Sequence, residues 1–478
     1  MQCSLILTLI LGALSIPSYG DTLEKRVWLG SPSDFNELEN EISRLIQLNP
    51  RSAEAHYLLS HLYIRKYSDK PDEMSILKKA SDLAQQAIAL SPRKEHGYVV
   101  LAEVLDVMGQ TINGIQLLKQ PSSVFSKGWR SKFILARLQS DSLDSSSILS
   151  LLEESLQKPG SVREIIAPYI VATLRSTHTG PSLISQLRSW DQKFPSETLK
   201  MSLAISLTRN DQPKLAHAIY VQIYTPNFRH QEAMLNDAIL LMTQLKRPSQ
   251  AKTLLHRVVK LAKMPDSISS FKFSVASQKL GEAYLNEGNS KKAERHFINA
   301  IVHSHNRYES ISRISEKYRE RKKFRHLVSV IKTLNEEIPG SGVLYALLGE
   351  ILSEDLLRHE EALDAFADAI ILEPNRSDFY NGMGLAYYRG NKLNRALNMF
   401  NFASRIDPED AIAKYNSACI LSIQKKYSQA LLTLKEAIHL DPRLKKNAAT
   451  DIDFKNLREY PGFADTIKEE PETESFAH

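Results

Sequence analysis

Cysteine is nearly absent from this chain: 478 residues contain two, Cys3 and Cys419. Two thiols so far apart cannot build a disulfide framework, and no C-x-x-C pair is present to begin a zinc site. Long apolar runs are missing too. The one that opens the chain, Leu5 to Leu14, falls short of the roughly 20 residues that cross a bilayer as a helix, and no later stretch reaches that length. Glycine (18) and proline (20) are few, and no long stretch alternates apolar and polar residues in steps of two. That combination excludes a β-rich chain and leaves an all-α one. Catalytic signatures are lacking as well. Neither G-x-S-x-G, G-x-x-x-x-G-K-[ST] nor H-E-x-x-H occurs, so the chemistry those motifs carry has no foothold.

What the chain does have is a rhythm of 34 residues. Between 377 and 410, Tyr380, Met383-Gly384 and Tyr387 recur at three and four residues, and Ala396, Phe400 and Ala403 do the same ahead of Pro408. Each set falls on one face of a helix. Pro374, Pro408 and Pro442 keep one phase, and Ala362, Ala396 and Ala430 keep another. Gly384 stands where two antiparallel helices would press closest. Ala396 and Ala403 leave a hole that Phe400 is large enough to fill. Gly390-Asn391 tolerates the turn, Pro408 stops the second helix, and Ser377 or Asp410 can cap the next. These residues resemble the tetratricopeptide repeat in type and spacing. The resemblance implies an all-α solenoid, a superhelix of antiparallel helix hairpins whose stacked neighbours cover the apolar side that one hairpin leaves bare.

Taken in order, residues 1–20 carry no charged side chain and end in Ser18-Tyr19-Gly20, which reads as a secretory signal cleaved after Gly20. An exported protein, periplasmic or secreted, is the expectation. Cys419 is then the one thiol left, either filling a helix contact or pairing with a partner. Residues 21–52 suit an N-terminal helix or partial repeat. Residues 53–121 hold repeat-like units, with an insertion around Arg65 to Asp72 expected to lengthen a turn. The marker residues fade over 122–265, which reads as degenerate repeats or a separate helical domain. A joint is expected at 265–274, and five contiguous units at 274–444, with one extra residue near Arg358. Phe454, Leu457 and Phe463 in 445–467 suit a cap over the end of the stack, and 468–478 suit a disordered acidic tail.

Charge is close to balanced, with 61 Lys and Arg against 55 Asp and Glu. The run from Arg319 to His326, RERKKFRH, reads as a solvated face or as a dock for an acidic partner. Asp451 and Asp453 suit capping better than a metal, and His303 and His305 lack a third ligand. No metal, cofactor or nucleic acid is expected. The resemblance further implies that the first helix of each hairpin lines a ligand groove. Carried onto this sequence, that places Gln278, Glu282, Glu316 and Arg319 on the groove, followed by Asp378, Asn381, Leu385 and Tyr388, then Tyr415 and Cys419. Asn381 and Leu385 stand where Lys and Asn would clamp a terminal carboxylate, so that mode is not expected. A non-enzymatic scaffold for a protein or peptide partner is the reading, with Tyr388 and Tyr415 as anchors. A periplasmic subunit that binds an envelope polysaccharide or assists its export, with an anionic envelope polymer as partner, is the alternative.

Overall fold

The computed structural model describes residues 23–69, 74–120, 124–125, 128–158, 160–226, 230–262 and 267–468, and among these it holds helices and no strand. The expected signal at 1–20, Cys3 and the tail beyond 468 lie outside the described residues. The chain divides into two compact units, 1–261 and 262–478.

The second unit is built from five helix pairs. They are Ser267–Asn286 with Ser290–Val302, Arg307–Glu320 with Phe324–Glu337, Gly342–Glu350 with His359–Leu372, Ser377–Arg389 with Leu393–Ile406, and Ala411–Ile423 with Tyr427–Leu440. A small residue facing an aromatic ring sets the closest approach within three of these pairs. A Cβ on Gly384 would sit 2.5 Å from the Phe400 ring, one on Gly281 2.5 Å from Phe297, and one on Gly349 2.7 Å from Phe366. No real Cβ tolerates such distances, so only glycine lets the helices meet there. Ala396 and Ala403 flank Phe400 and are fully buried. The stretch 267–274, part of the expected joint, is instead the start of a 20-residue helix.

Turn chemistry departs from expectation in detail. Asn391 takes the left-handed backbone at φ 56°, while Gly390 stays at φ −78°. Asp410 caps the helix Ala411–Ile423 by accepting from the Ala413 amide at 2.9 Å, whereas Ser377 is already inside its helix. The extra residue expected near Arg358 is absorbed earlier, where the helix from Gly342 widens into a π turn at Ile351–Asp355.

The first unit opens with the short helix Leu23–Leu29 and the helix Phe35–Leu48. Six helix pairs follow, the first being Ala53–Asp69 with Met74–Leu90 and the last Gln231–Thr243 with Pro248–Leu261. The insertion around Arg65 does not lengthen a loop over its described part. Residues 65–69 extend the helix from Ala53 to 17 residues, which carries Arg65 beyond the length of the neighbouring first helices. Pro168 lies inside the helix Arg163–Thr177, and in the last two pairs of this unit Ala204, Ala216, Ala238 and Ala251 are fully buried.

Candidate functional site

Three successive first helices of the second unit, Arg307–Glu320, Gly342–Glu350 with its π turn, and Ser377–Arg389, line a groove of about 670 Å³. Its floor is apolar: Ile311, Val343, Ala346, Leu347 and Phe379. Tyr308, 62% exposed, stands at the edge with its ring available to a ligand. Acids dominate the rest of the lining, with Glu316, Glu320, Glu350 and Asp378 against the single guanidinium of Arg319.

Most of those charges are answered locally. Arg319 Nε lies 3.3 Å from Asp355 Oδ2, a partner supplied by the π turn. Asp378 accepts two bonds from Arg376, at 2.9 and 2.6 Å. Glu320 meets Lys317 at 2.9 Å and Arg321 at 3.1 Å. Glu316 and Glu350 form no ion pair with any described residue. Loss of water raises the Glu350 carboxyl above its ordinary range, Glu354 and Asp378 add repulsion in the same direction, and Arg319 and Arg389 oppose it. The Asp355 carboxyl is raised chiefly by burial, which Arg319 opposes. The groove is therefore an apolar trough whose lining carries more acids than cations.

The sequence-expected groove residues separate into three sets. Glu316, Arg319 and Asp378 line this trough. Gln278 and Glu282 lie one hairpin earlier and bond to each other at 3.1 Å. The remaining five are engaged inside the protein. Asn381 accepts from Asn416 at 2.9 Å, and Leu385 packs beside Phe400 and Ile420. Tyr388 donates to Asp453, and Tyr415 donates to Asp451 at 2.8 Å. Tyr415 and Cys419 are buried.

These last positions correct the expectation of open anchors. After Leu440 the chain turns back, and Asp451 to Phe463 cover the inner face of the final hairpin. Phe454, Leu457 and Phe463 are buried with Ala430, Leu434 and Ala437, and Ser422 donates to the Asp453 carbonyl at 2.7 Å. Cys419, Asp451 and Asp453 bring a thiol and two carboxylates within 4.8 Å of one another. Each carboxylate is already held by a tyrosine, and Asp451 also caps the next turn through the Asp453 amide at 3.0 Å. Burial, followed by the two nearby carboxylates, pushes the Cys419 thiol far up. The cluster is a hydrogen-bonded clasp.

The basic run 319–326 does not form one face. Arg319 turns to Asp355, Arg321 to Asn286 at 2.5 Å, and His326 to Glu294 at 2.5 Å. Sequence reasoning missed Tyr308, Phe379 and Glu350. Phe379 follows the expected Asp378 on the helix Ser377–Arg389, Tyr308 shares a helix with Glu316 and Arg319, and Glu350 lies on Gly342–Glu350, from which no groove residue was expected.

A glycine set against an aromatic ring recurs within three helix pairs of the second unit and marks the architecture. The fold is that of a tetratricopeptide-type α-solenoid. No protein-family model matches the chain. Over 88 residues the chain is 31% identical to Superkiller protein 3 of Schizosaccharomyces pombe, a match that spans 18% of this chain and 6% of that protein. Among solved structures, yeast Tom70 aligns over 92% of this chain and 96% of its own, at 16% identity and a TM-score of 0.31. MamA aligns over 35% of this chain and 97% of its own, at 18% identity and a TM-score of 0.28.

Proposed function

We propose that this protein is a binding scaffold and that the groove of its second unit receives a segment of another protein. That segment presents an apolar side chain flanked by lysine or arginine. The carrying observation is that Glu316 and Glu350, which form no direct ion pair, stand beside the apolar floor of Val343, Leu347 and Phe379. An apolar anchor loses water against that floor, and a neighbouring cation gains from the acids. An anionic polymer would meet repulsion at the same place, which favours a protein partner over the polysaccharide alternative. Export, read from the uncharged start of the chain, belongs to the same proposal.

A peptide array tests it, with Leu or Phe at the centre and the flanking charge varied from acidic to basic. Fluorescence polarisation against the full chain should rank basic peptides at least tenfold above acidic ones. Glu316→Lys with Glu350→Lys should reverse that order, and Val343→Asp should abolish binding. Equal binding of both charge classes, or indifference to all three substitutions, would overturn the reading.

A further inference from the structure

The inner face of the first unit is not empty. The helix Leu23–Leu29 lies across it and reaches the first helices of three hairpins. Trp28 sits over His61 with ring centroids 3.8 Å apart and meets Phe133 at 5.6 Å. The indole Nε1 donates to the Tyr57 hydroxyl at 3.0 Å, and that hydroxyl donates to Glu24 at 2.9 Å. Arg130 grips Glu24 through two bonds of 2.7 and 2.6 Å. Arg65, on the extra helical turn of the first hairpin, donates to the carbonyls of Val27 at 2.5 Å and Gly30 at 2.6 Å. Lys25 reaches Glu164 on a third first helix at 3.5 Å.

This arrangement has the form of a bound ligand more than of a core element. The segment is seven residues long, too short to hold a helix unaided. Its anchors are the Trp28 side chain, Val27 buried in the apolar cluster of the unit, one carboxylate gripped by two guanidinium nitrogens, and two end carbonyls bound by an arginine. Glu24 and Trp28 stand four residues apart, so both fall on the same side of the helix. The face beneath mixes polar side chains, Tyr57, His61, Arg65 and Arg130, with the apolar Phe133. The His61 Nε2 is buried without a hydrogen-bond partner, so the contact leaves a donor or acceptor unmet. Behind it, His61 Nδ1 meets Glu103 at 3.0 Å, and Arg137 pairs with the same carboxylate. That network fixes the imidazole before any ligand arrives.

We propose that the inner face of the first unit is a second peptide-recognition site, occupied in cis by residues 23–30. Its partner is a protein segment that offers a carboxylate and a tryptophan one helical turn apart. The chain's own segment then competes with that partner, and binding in trans requires the strap to leave.

A labelled peptide with the sequence of residues 21–31 serves as the probe, titrated against the full chain. Wild type should bind it weakly or not at all. A Glu24→Ala, Trp28→Ala chain, whose strap is weakened, should bind it at least tenfold more tightly. Adding Arg130→Ala to that chain, or replacing the peptide's tryptophan by alanine, should remove the gain. No binding by the folded double variant, or equal binding by wild type, would overturn the proposal. Fluorescence of Trp129 and Trp190 reports whether the variant is folded. Hydrogen exchange on the wild-type chain decides independently of any variant. Amides of 25–30 should open while those of 57–62 remain protected, and exchange of both stretches only together would make the strap a core element and end the proposal.

Discussion

Tyr388 and Asp453 are 65 residues apart in the chain, yet the tyrosine hydroxyl lies 2.9 Å from both oxygens of the aspartate. The contact ties the C-terminal segment to the first helix of the fourth hairpin in the second unit. Burial raises the Asp453 carboxyl, Asp451 adds to the rise, and the Tyr388 hydroxyl opposes it.

Removing that hydroxyl with Tyr388→Phe should cost about 1–2 kcal/mol at neutral pH, the usual effect of leaving a partly buried acceptor unmet. The folded state holds the Asp453 proton more tightly than the unfolded chain. Stability from this group therefore falls as pH rises from the ordinary carboxylate value of 3.8 through the raised folded one. The variant's deficit should accordingly be largest at neutral pH and shrink in acid. Urea unfolding followed by far-UV circular dichroism at several pH values checks both statements.

Gly384 and Phe400 should behave as a lock. Phe400→Ala empties a core site and should destabilise by about 3–5 kcal/mol. Gly384→Ala forces a methyl into the ring and should destabilise by about 1–3 kcal/mol despite its better helix propensity. Combining Gly384→Ala with Phe400→Leu should cost less than the sum of the two single changes, which a double-mutant cycle measures.

Leu357 holds a left-handed backbone at φ 56° with its side chain 69% exposed. A branched residue there is strained by about 1 kcal/mol, and its side chain contributes little packing. Leu357→Gly should therefore stabilise the second unit by roughly 0.5–1 kcal/mol, read as a higher midpoint in thermal unfolding.

Glu103 in the first unit should show the opposite pH response to Asp453. Burial would raise its carboxyl, but His61 and Arg137 outweigh that and hold it below the ordinary value of 4.5. Its contribution is complete above that value and is lost as pH falls through the lower folded one. Glu103→Gln strands Arg137 and should cost about 3–5 kcal/mol at neutral pH. That gap should narrow in acid. All three tryptophans, Trp28, Trp129 and Trp190, lie in the first unit, so their fluorescence follows this unit alone.

The repeat was legible because its markers are steric. Gly384, Ala396 and Phe400 are where they are because two helices must touch, and a touching distance leaves a trace in residue type. The groove was legible in part for a related reason: the register of a first helix says which side chains point inward, and Glu316, Arg319 and Asp378 obeyed it. Tyr388, Tyr415 and Cys419 did not stay open, because what covers them arrives from Asp451 and Asp453, outside the repeat. No local pattern states that a later segment will fold back. Glu350 was missed because no groove position was carried onto the helix Gly342–Glu350, and Phe379 because a buried aromatic reads as packing from its sequence position. Trp28 and Arg65 lie on no repeat marker, so their meeting was visible only in three dimensions.

The π turn carries a consequence for how such arrays change length. One added residue in an ordinary helix rotates everything after it by about 100°, which would swing Phe366 away from Gly349. Here the wider turn takes up the added residue, and the ring still closes on the glycine as it does in the hairpins without the insertion. Single-residue growth can thus be stored inside a helix of this stack without passing through its connecting loops.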